Sequence, residues 1–287
     1  MKPLTWLTII LTVMTPLLTG VTQPVEVSLQ IKDQNQLIRT FSLSQLQTLI
    51  PSSVVKVLDP YKQNIQQYKG FAINVLLESL YGNNWQQQEE VLLTSPDGYQ
   101  VAIPMKRFLQ YQGFLAYENV NSPQFEITNN LVEQTIMELT PFYLIWDNIN
   151  QPHSSQLSQW PYQIMSIELV KFAEKFPQMM PPAESSDEVK RGLLTFRNFC
   201  QNCHSINGDG GKKALDLNYP ISVMEYMDEA KLKIWISSPT DILPDTTMPA
   251  LPYQLKNREQ KISDIIAYLK VMAQYQREPA PEVLTSP

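Results

Sequence analysis

Both cysteines of this 287-residue chain, and one of its two histidines, fall within five residues: Cys200-Gln201-Asn202-Cys203-His204. Thiols at i and i+3 share one face of a helical turn. A histidine directly after them suits a haem held by two thioethers, with the imidazole as an iron ligand. A structural disulfide or a thioredoxin-type redox pair would need no such histidine, and a redox pair belongs early in a βαβ pattern that is missing here. The chemistry expected at Cys200, Cys203 and His204 is therefore covalent haem binding, with a single haem because the pentad occurs once. The second axial ligand must come from farther along the chain. Met248 is the candidate: in Thr246-Thr247-Met248-Pro249-Ala250-Leu251 it lies in a proline-flanked loop, where a thioether can be aimed at a metal. Met224, Met227 and Met272 fall in helical patterns and are expected to pack.

These ligands need helices to hold them. From Asp187 to Gln276 the pattern is mostly helical. Before it, residues 176–186 carry three prolines and two serines and are expected to form a linker. Met179 and Met180 within it are expected to pack on a domain surface. Residues 277–287 form an expected flexible tail. Upstream, residues 23–175 mix strands and helices. Strands are expected at Pro24 to Ile31, Val54 to Leu58, Phe142 to Trp146 and Ile164 to Phe172. A hairpin is expected from Val91 to Ile103 around Pro96-Asp97-Gly98. Helices are expected from Phe41 to Ile50 with Ser42 as N-cap, from Ile73 to Leu80 ending at Gly82, and from Met105 to Gln110.

The C-terminal region resembles class I cytochromes c, over about residues 186–276. Gly192 and Phe196 stand where that family crosses its first helix with its last. Asp264-Ile265-Ile266-Ala267-Tyr268-Leu269-Lys270 resembles the last helix, with Tyr268 packing on the glycine. Asp216-Leu217-Asn218-Tyr219-Pro220 stands where the family places a proline whose carbonyl holds the proximal imidazole. Trp235 is expected in the core, the other placement being against a haem propionate edge. The resemblance implies an all-α domain, at 187–276, carrying one low-spin, six-coordinate haem c that shuttles single electrons.

In the N-terminal region, Tyr68-Lys69-Gly70-Phe71, Ser95-Pro96-Asp97-Gly98-Tyr99, Thr140-Pro141-Phe142-Tyr143-Leu144-Ile145-Trp146 and Trp160-Pro161-Tyr162 recur in the order of the sulfite-oxidase-type molybdopterin domain, and residues 23–175 resemble that α+β fold. Enzymes of that type ligate molybdenum through a cysteine, and residues 24–175 contain none. They contain only Arg39 and Arg107 as arginines with which to bind an oxyanion or a pterin phosphate. Molybdopterin is therefore not expected. His153, a lone loop histidine, is expected to be incidental, and Glu89-Glu90 a solvated pair.

A net charge of −6 argues against a nucleic-acid partner. Lys2 and the apolar run Leu4 to Leu18 read as a signal peptide over residues 1–22, directing the chain to the periplasm; left uncleaved, it would anchor the protein to a membrane. The expected function is one-electron transfer between redox protein partners, with the N-terminal domain as a docking or accessory module and no catalytic residue of its own. The alternative is a haem-containing subunit or enzyme of the sulfite-oxidase type that oxidises a small molecule. A third reading makes the N-terminal domain a ligand sensor lined by Trp85, Trp146 and Trp160.

Overall fold

The structure is a computed structural model that describes residues 27–130, 135–151 and 159–279. The expected signal segment, the first residues of the Pro24 to Ile31 strand, His153 and most of the tail lie outside the described residues. The described part divides into a β-rich N-terminal region and a helical C-terminal one.

The N-terminal region is built on two sheets. Strands β1 (Ser28–Asp33), β2 (Gln36–Ser42), β5 (Glu90–Thr94), β6 (Gln100–Pro104) and β11 (Ser166–Val170) form a five-stranded sheet in the order β2-β1-β11-β5-β6. Only the β1–β11 pair in it is parallel. Strands β3 (Ser52–Asp59), β4 (Asn64–Ala72), β7 (Gly113–Asn119) and β10 (Tyr143–Trp146) form an antiparallel four-stranded sheet, β10-β7-β4-β3. A further pair, β8 (Glu126–Asn129) and β9 (Thr135–Glu138), stands apart. Strands β2, β4 and β7 were not legible from alternation: β2 is largely exposed, and β4 intersperses glutamines with its apolar residues.

The expected helices are present. Helix α1 (Leu43–Leu49) starts at Ser42, whose hydroxyl accepts from the Gln45 N–H while the Gln45 side chain accepts from the Ser42 N–H. This reciprocal capping box satisfies two otherwise orphaned donors. Helix α2 (Ile73–Tyr81) ends at Gly82, and α3 (Met105–Gln110) follows β6 directly. Between the sheets and these helices lie Trp146, Trp160, Tyr68, Tyr143, Phe71 and Phe142, all fully buried. Trp146 and Trp160 thus lie in the core, as does Trp85.

Strand β5 is buried on both faces, as its run of apolar residues requires. Val91 and Leu93 enter the N-terminal core. On the opposite face, Leu92, its cross-strand partner Ala102, and Val170 join the core of the C-terminal region. Phe172, in helix α4 (Phe172–Lys175), belongs to that same cluster. Glu90 shares this face and pairs with Arg197 of the C-terminal region. The pair Glu89-Glu90 is therefore not simply solvated: Glu90 is buried, and a Glu89 carboxylate oxygen accepts from the Phe172 N–H at 3.1 Å.

The stretch expected as a linker is packed for part of its length. Phe176 and Met179 are buried in the C-terminal core, the Met179 carbonyl accepts from the Tyr268 hydroxyl at 2.7 Å, and Met180 is exposed. Helix α5 (Asp187–Phe199) then begins at Ser186, which caps the Val189 N–H, with Asp187 and Glu188 against the positive end of the helix dipole. Helices α6 (Val223–Tyr226), α7 (Glu229–Ser237) and α8 (Arg258–Met272) complete the region. Among the described residues, no helix is long and apolar enough to cross a membrane.

Candidate haem-binding site

The site hangs on the crossing of α5 and α8. A Cβ on Gly192 would lie 2.0 Å from the Asp264 carbonyl oxygen and 2.7 Å from the Tyr268 Cβ. Only glycine permits this approach, despite costing about 1 kcal/mol in helix propensity relative to alanine. One turn on, the Phe196 and Tyr268 rings meet at 5.4 Å, tilted by 49° and fully buried. An ion pair closes the crossing: Arg191 Nε and Nη2 donate to the two Asp264 carboxylate oxygens at 2.8 and 3.1 Å. Burial alone would raise the Asp264 pKa, but hydrogen bonds from Arg191 and Gln260 and the neighbouring positive charge bring it below the ordinary carboxylate value.

Helix α5 ends at Phe199, and the pentad forms the turn that follows. The Cys203 and His204 N–H groups both donate to the Cys200 carbonyl, at 3.1 and 2.9 Å. The two cysteines are half-buried and not joined to each other. Burial and the neighbouring Cys203 push the Cys200 thiol up to about 12, and burial also raises Cys203. A redox-active Cys-x-x-Cys pair needs the opposite, a thiol pKa lowered to about 3.5–7.5. This environment argues against thiol–disulfide exchange as the role of the pair.

His204 is oriented by a backbone group. Its Nδ1 lies 2.7 Å from the Leu215 carbonyl oxygen. A carbonyl can only accept, so Nδ1 carries the proton and Nε2 keeps its lone pair. Burial lowers the His204 pKa, so the neutral, ligating form is favoured. The orienting carbonyl thus precedes the segment 216–220 on which the sequence reading placed it. Asp216, the next residue, holds the loop in shape. Its carboxylate accepts from the Gly208, Asn218 and Tyr219 N–H groups and the Ser205 hydroxyl at 2.7–2.8 Å, and from the Asn207 N–H at 3.2 Å.

Met248 sits in the loop between α7 and α8. The Leu251 N–H donates to the Ile236 carbonyl at 3.0 Å, and Arg258 donates to the carbonyls of Leu251 and Ser237 at 2.9 and 2.6 Å. These bonds pin the exit of the loop to the end of α7. The Trp235 indole N–H points at the Met248 sulfur from 2.9 Å. Trp235 is half-buried, so it is not the plain core residue expected. Met224 and Met227 pack against the core from half-buried positions and Met272 is within it, as their helical spacing implied.

A haem c fits these residues. There are two unpaired thiols on one turn, an imidazole whose second nitrogen is held free by a backbone carbonyl, and a thioether on a braced loop. Leu215, Ile221, Ile234 and Leu243, from segments adjoining the ligands, expose apolar side chains of the kind a porphyrin requires. The residues that orient these groups, Leu215, Asp216, Trp235 and Arg258, carried no sequence signal for those roles. Leu215 acts through its backbone, and the others take their roles from partners up to 21 residues away in the chain.

No curated protein matches this chain. Residues 189–273 match the family model described as cytochrome c. The matched span runs from the first turn of α5 to the end of α8 and contains the pentad, Gly192, Tyr268 and Met248. The C-terminal region of this protein is a cytochrome c domain, of a family that binds haem c covalently and transfers electrons.

Proposed function

We propose that this protein is an exported, monohaem c-type cytochrome that passes single electrons between redox protein partners. Cys200 and Cys203 would hold the haem as thioethers, with His204 and Met248 as its axial ligands. The observation that carries the reading is the His204–Leu215 hydrogen bond, which commits Nδ1 and leaves Nε2 for iron, on the same turn as both thiols. When bound, haem c supplies one-electron iron chemistry. The chain's own residues fix the imidazole tautomer, brace the thioether and bury the helix crossing behind them. With His204 and Met248 both holding the iron, no position would be left open for a substrate, and the domain would suit electron transfer rather than catalysis.

The N-terminal domain is read as a sulfite-oxidase-like fold kept without its metal chemistry, because both cysteines of the chain lie in the haem motif. The leader read at residues 1–22 supports a periplasmic location, soluble or membrane-anchored. The pyridine haemochrome assay and intact-mass measurement are expected to give one covalent haem per chain. Met248→Ala is expected to abolish the sulfur-to-iron charge-transfer band. Retention of that band would remove Met248 from the ligand set, and an unmodified mass would remove haem altogether. Capture of redox proteins from a periplasmic and membrane extract then identifies the donor and acceptor, and stoichiometric molybdenum in the purified protein would overturn the metal-free reading of the N-terminal domain.

A further inference from the structure

The tip of the β5–β6 hairpin is seated on the haem-attachment turn itself. The Gln100 N–H donates to the Asn202 carbonyl at 2.9 Å, and the Lys212 N–H donates to the Gly98 carbonyl at 2.8 Å. The Asn202 side-chain amide donates to the Tyr99 hydroxyl at 3.0 Å. Lys213 pairs with Asp97 at 2.7 Å and lies over the Tyr99 ring, 5.8 Å from its centroid. Asn202 is the residue between the two cysteines on the His204 side, and the Gly211 N–H bonds the Gln201 carbonyl beside it at 2.8 Å. The hairpin thus grips both limbs of the loop, 201–202 and 211–213.

The fit at the tip is close. Gly98 has φ +85°, and a Cβ there would lie 2.8 Å from the Lys212 carbonyl carbon. Behind the tip, the β5 face described above continues the contact: Leu92, Val170 and Phe172 share the cytochrome core, and Arg197 stacks 3.8 Å over the Phe172 ring. Backbone bonds and a shared apolar core, rather than the half-exposed Asp97–Lys213 pair, hold the two regions together.

We propose that the hairpin tip Asp97–Tyr99 is a built-in clamp on the haem-attachment loop, through which the N-terminal domain positions that loop and sets the potential of the haem. This rests on the haem reading above, and Asp97, Tyr99 and Lys213 are positioning residues within it. Asp97 and Lys213 flank the points at which the hairpin tip bonds the haem-attachment loop, one next to Gly98 and the other next to Lys212. Their charges are nearly neutral as a pair and become a net field when one is changed.

The test uses the full-length protein and two readouts. Hydrogen exchange reads the clamp directly, with or without haem: the Gln100 and Lys212 amides are expected to be protected in the native chain. In Tyr99→Phe, which deletes the hydroxyl and keeps the ring, the Asn202 side-chain bond is lost and exchange at both amides is expected to rise about fivefold. Spectroelectrochemical titration reads the coupling. Asp97→Lys is expected to raise the potential, because added positive charge favours the reduced iron. Lys213→Asp is expected to lower it. The double exchange Asp97→Lys with Lys213→Asp is expected to return it towards the native value. Fast exchange at Gln100 and Lys212 in the native chain overturns the clamp. Protected amides with a potential that none of the charge variants moves overturn its influence on the haem. A chain without covalent haem overturns the haem reading, while the amide protection still decides the clamp.

Discussion

Trp235 donates its indole N–H to the Met248 sulfur at 2.9 Å, from a helix whose last turn is tied to the same loop by the Leu251–Ile236 backbone bond. A thioether sulfur is a weak acceptor, so this contact orients the methionine more than it stabilises the fold. Trp235→Phe deletes the donor and keeps an aromatic ring. With a net loss of about 1 kcal/mol, the haem-loaded variant is expected to bind exogenous imidazole in place of Met248 roughly fivefold more tightly. A spectral titration with imidazole checks this, and an unchanged affinity would show that the indole does not hold the sulfur.

The α5–α8 crossing leaves no space at Gly192. Gly192→Ala would set a methyl group 2.0 Å from a backbone oxygen of α8, which no side-chain rotation relieves. Separating the helices also parts Phe196 from Tyr268 and Arg191 from Asp264. The expected loss is about 3 kcal/mol or more, seen as a lower thermal midpoint and reduced haem incorporation. A variant melting at the native temperature would mean that the crossing is looser than the structure describes.

Asp216 answers four backbone N–H groups and one hydroxyl. Asp216→Ala leaves those donors to compete for water in a largely buried loop, at about 1–3 kcal/mol for each one left unsatisfied. The Leu215 carbonyl, one residue away, then loses its fixed position against His204. The variant is expected to lose stability and to show a heterogeneous haem spectrum, with Asp216→Asn intermediate. Denaturant unfolding and low-temperature electron paramagnetic resonance measure the two effects separately.

Arg191 and Asp264 make stability depend on acid. Because the folded state holds the Asp264 pKa below its unfolded value, the carboxylate's contribution is fully present above the ordinary carboxylate range, about pH 4. It is lost as pH falls through the depressed value. Asp264→Asn, which cannot titrate, is expected to be less stable at neutral pH and to flatten the acid limb of the stability curve. Parallel native and variant acid limbs would assign the acid sensitivity to other carboxylates.

The local chemistry was legible from residue types and spacing. A haem-binding pentad needs two thiols a turn apart and an adjacent imidazole, which is a contiguous pattern. Ser42, Gly82 and the β5–β6 hairpin were readable for the same reason, since caps and turns depend on neighbouring residues. The Gly192–Tyr268 crossing was read through family resemblance, and the close approach of the two backbones supplies its physical reason.

Long-range partners were decided only by the tertiary structure. Nothing local marks Leu215 as the carbonyl that orients His204, because every residue has a carbonyl and proximity selects one. Trp235 and Arg258 took their roles from where α7 and α8 meet the Met248 loop. Strands β4 and β7 were masked because each owes its pairing to a neighbour more than to its own alternation. The clearest case is the relation between the two regions. The proline-rich stretch 176–186 reads as a spacer. Yet Met179 is buried, the face of β5 opposite Val91 and Leu93 joins the cytochrome core, and Tyr99 meets Asn202 between the two cysteines. The sequence determined the chemistry the pentad can do; the fold decided that the N-terminal domain touches it.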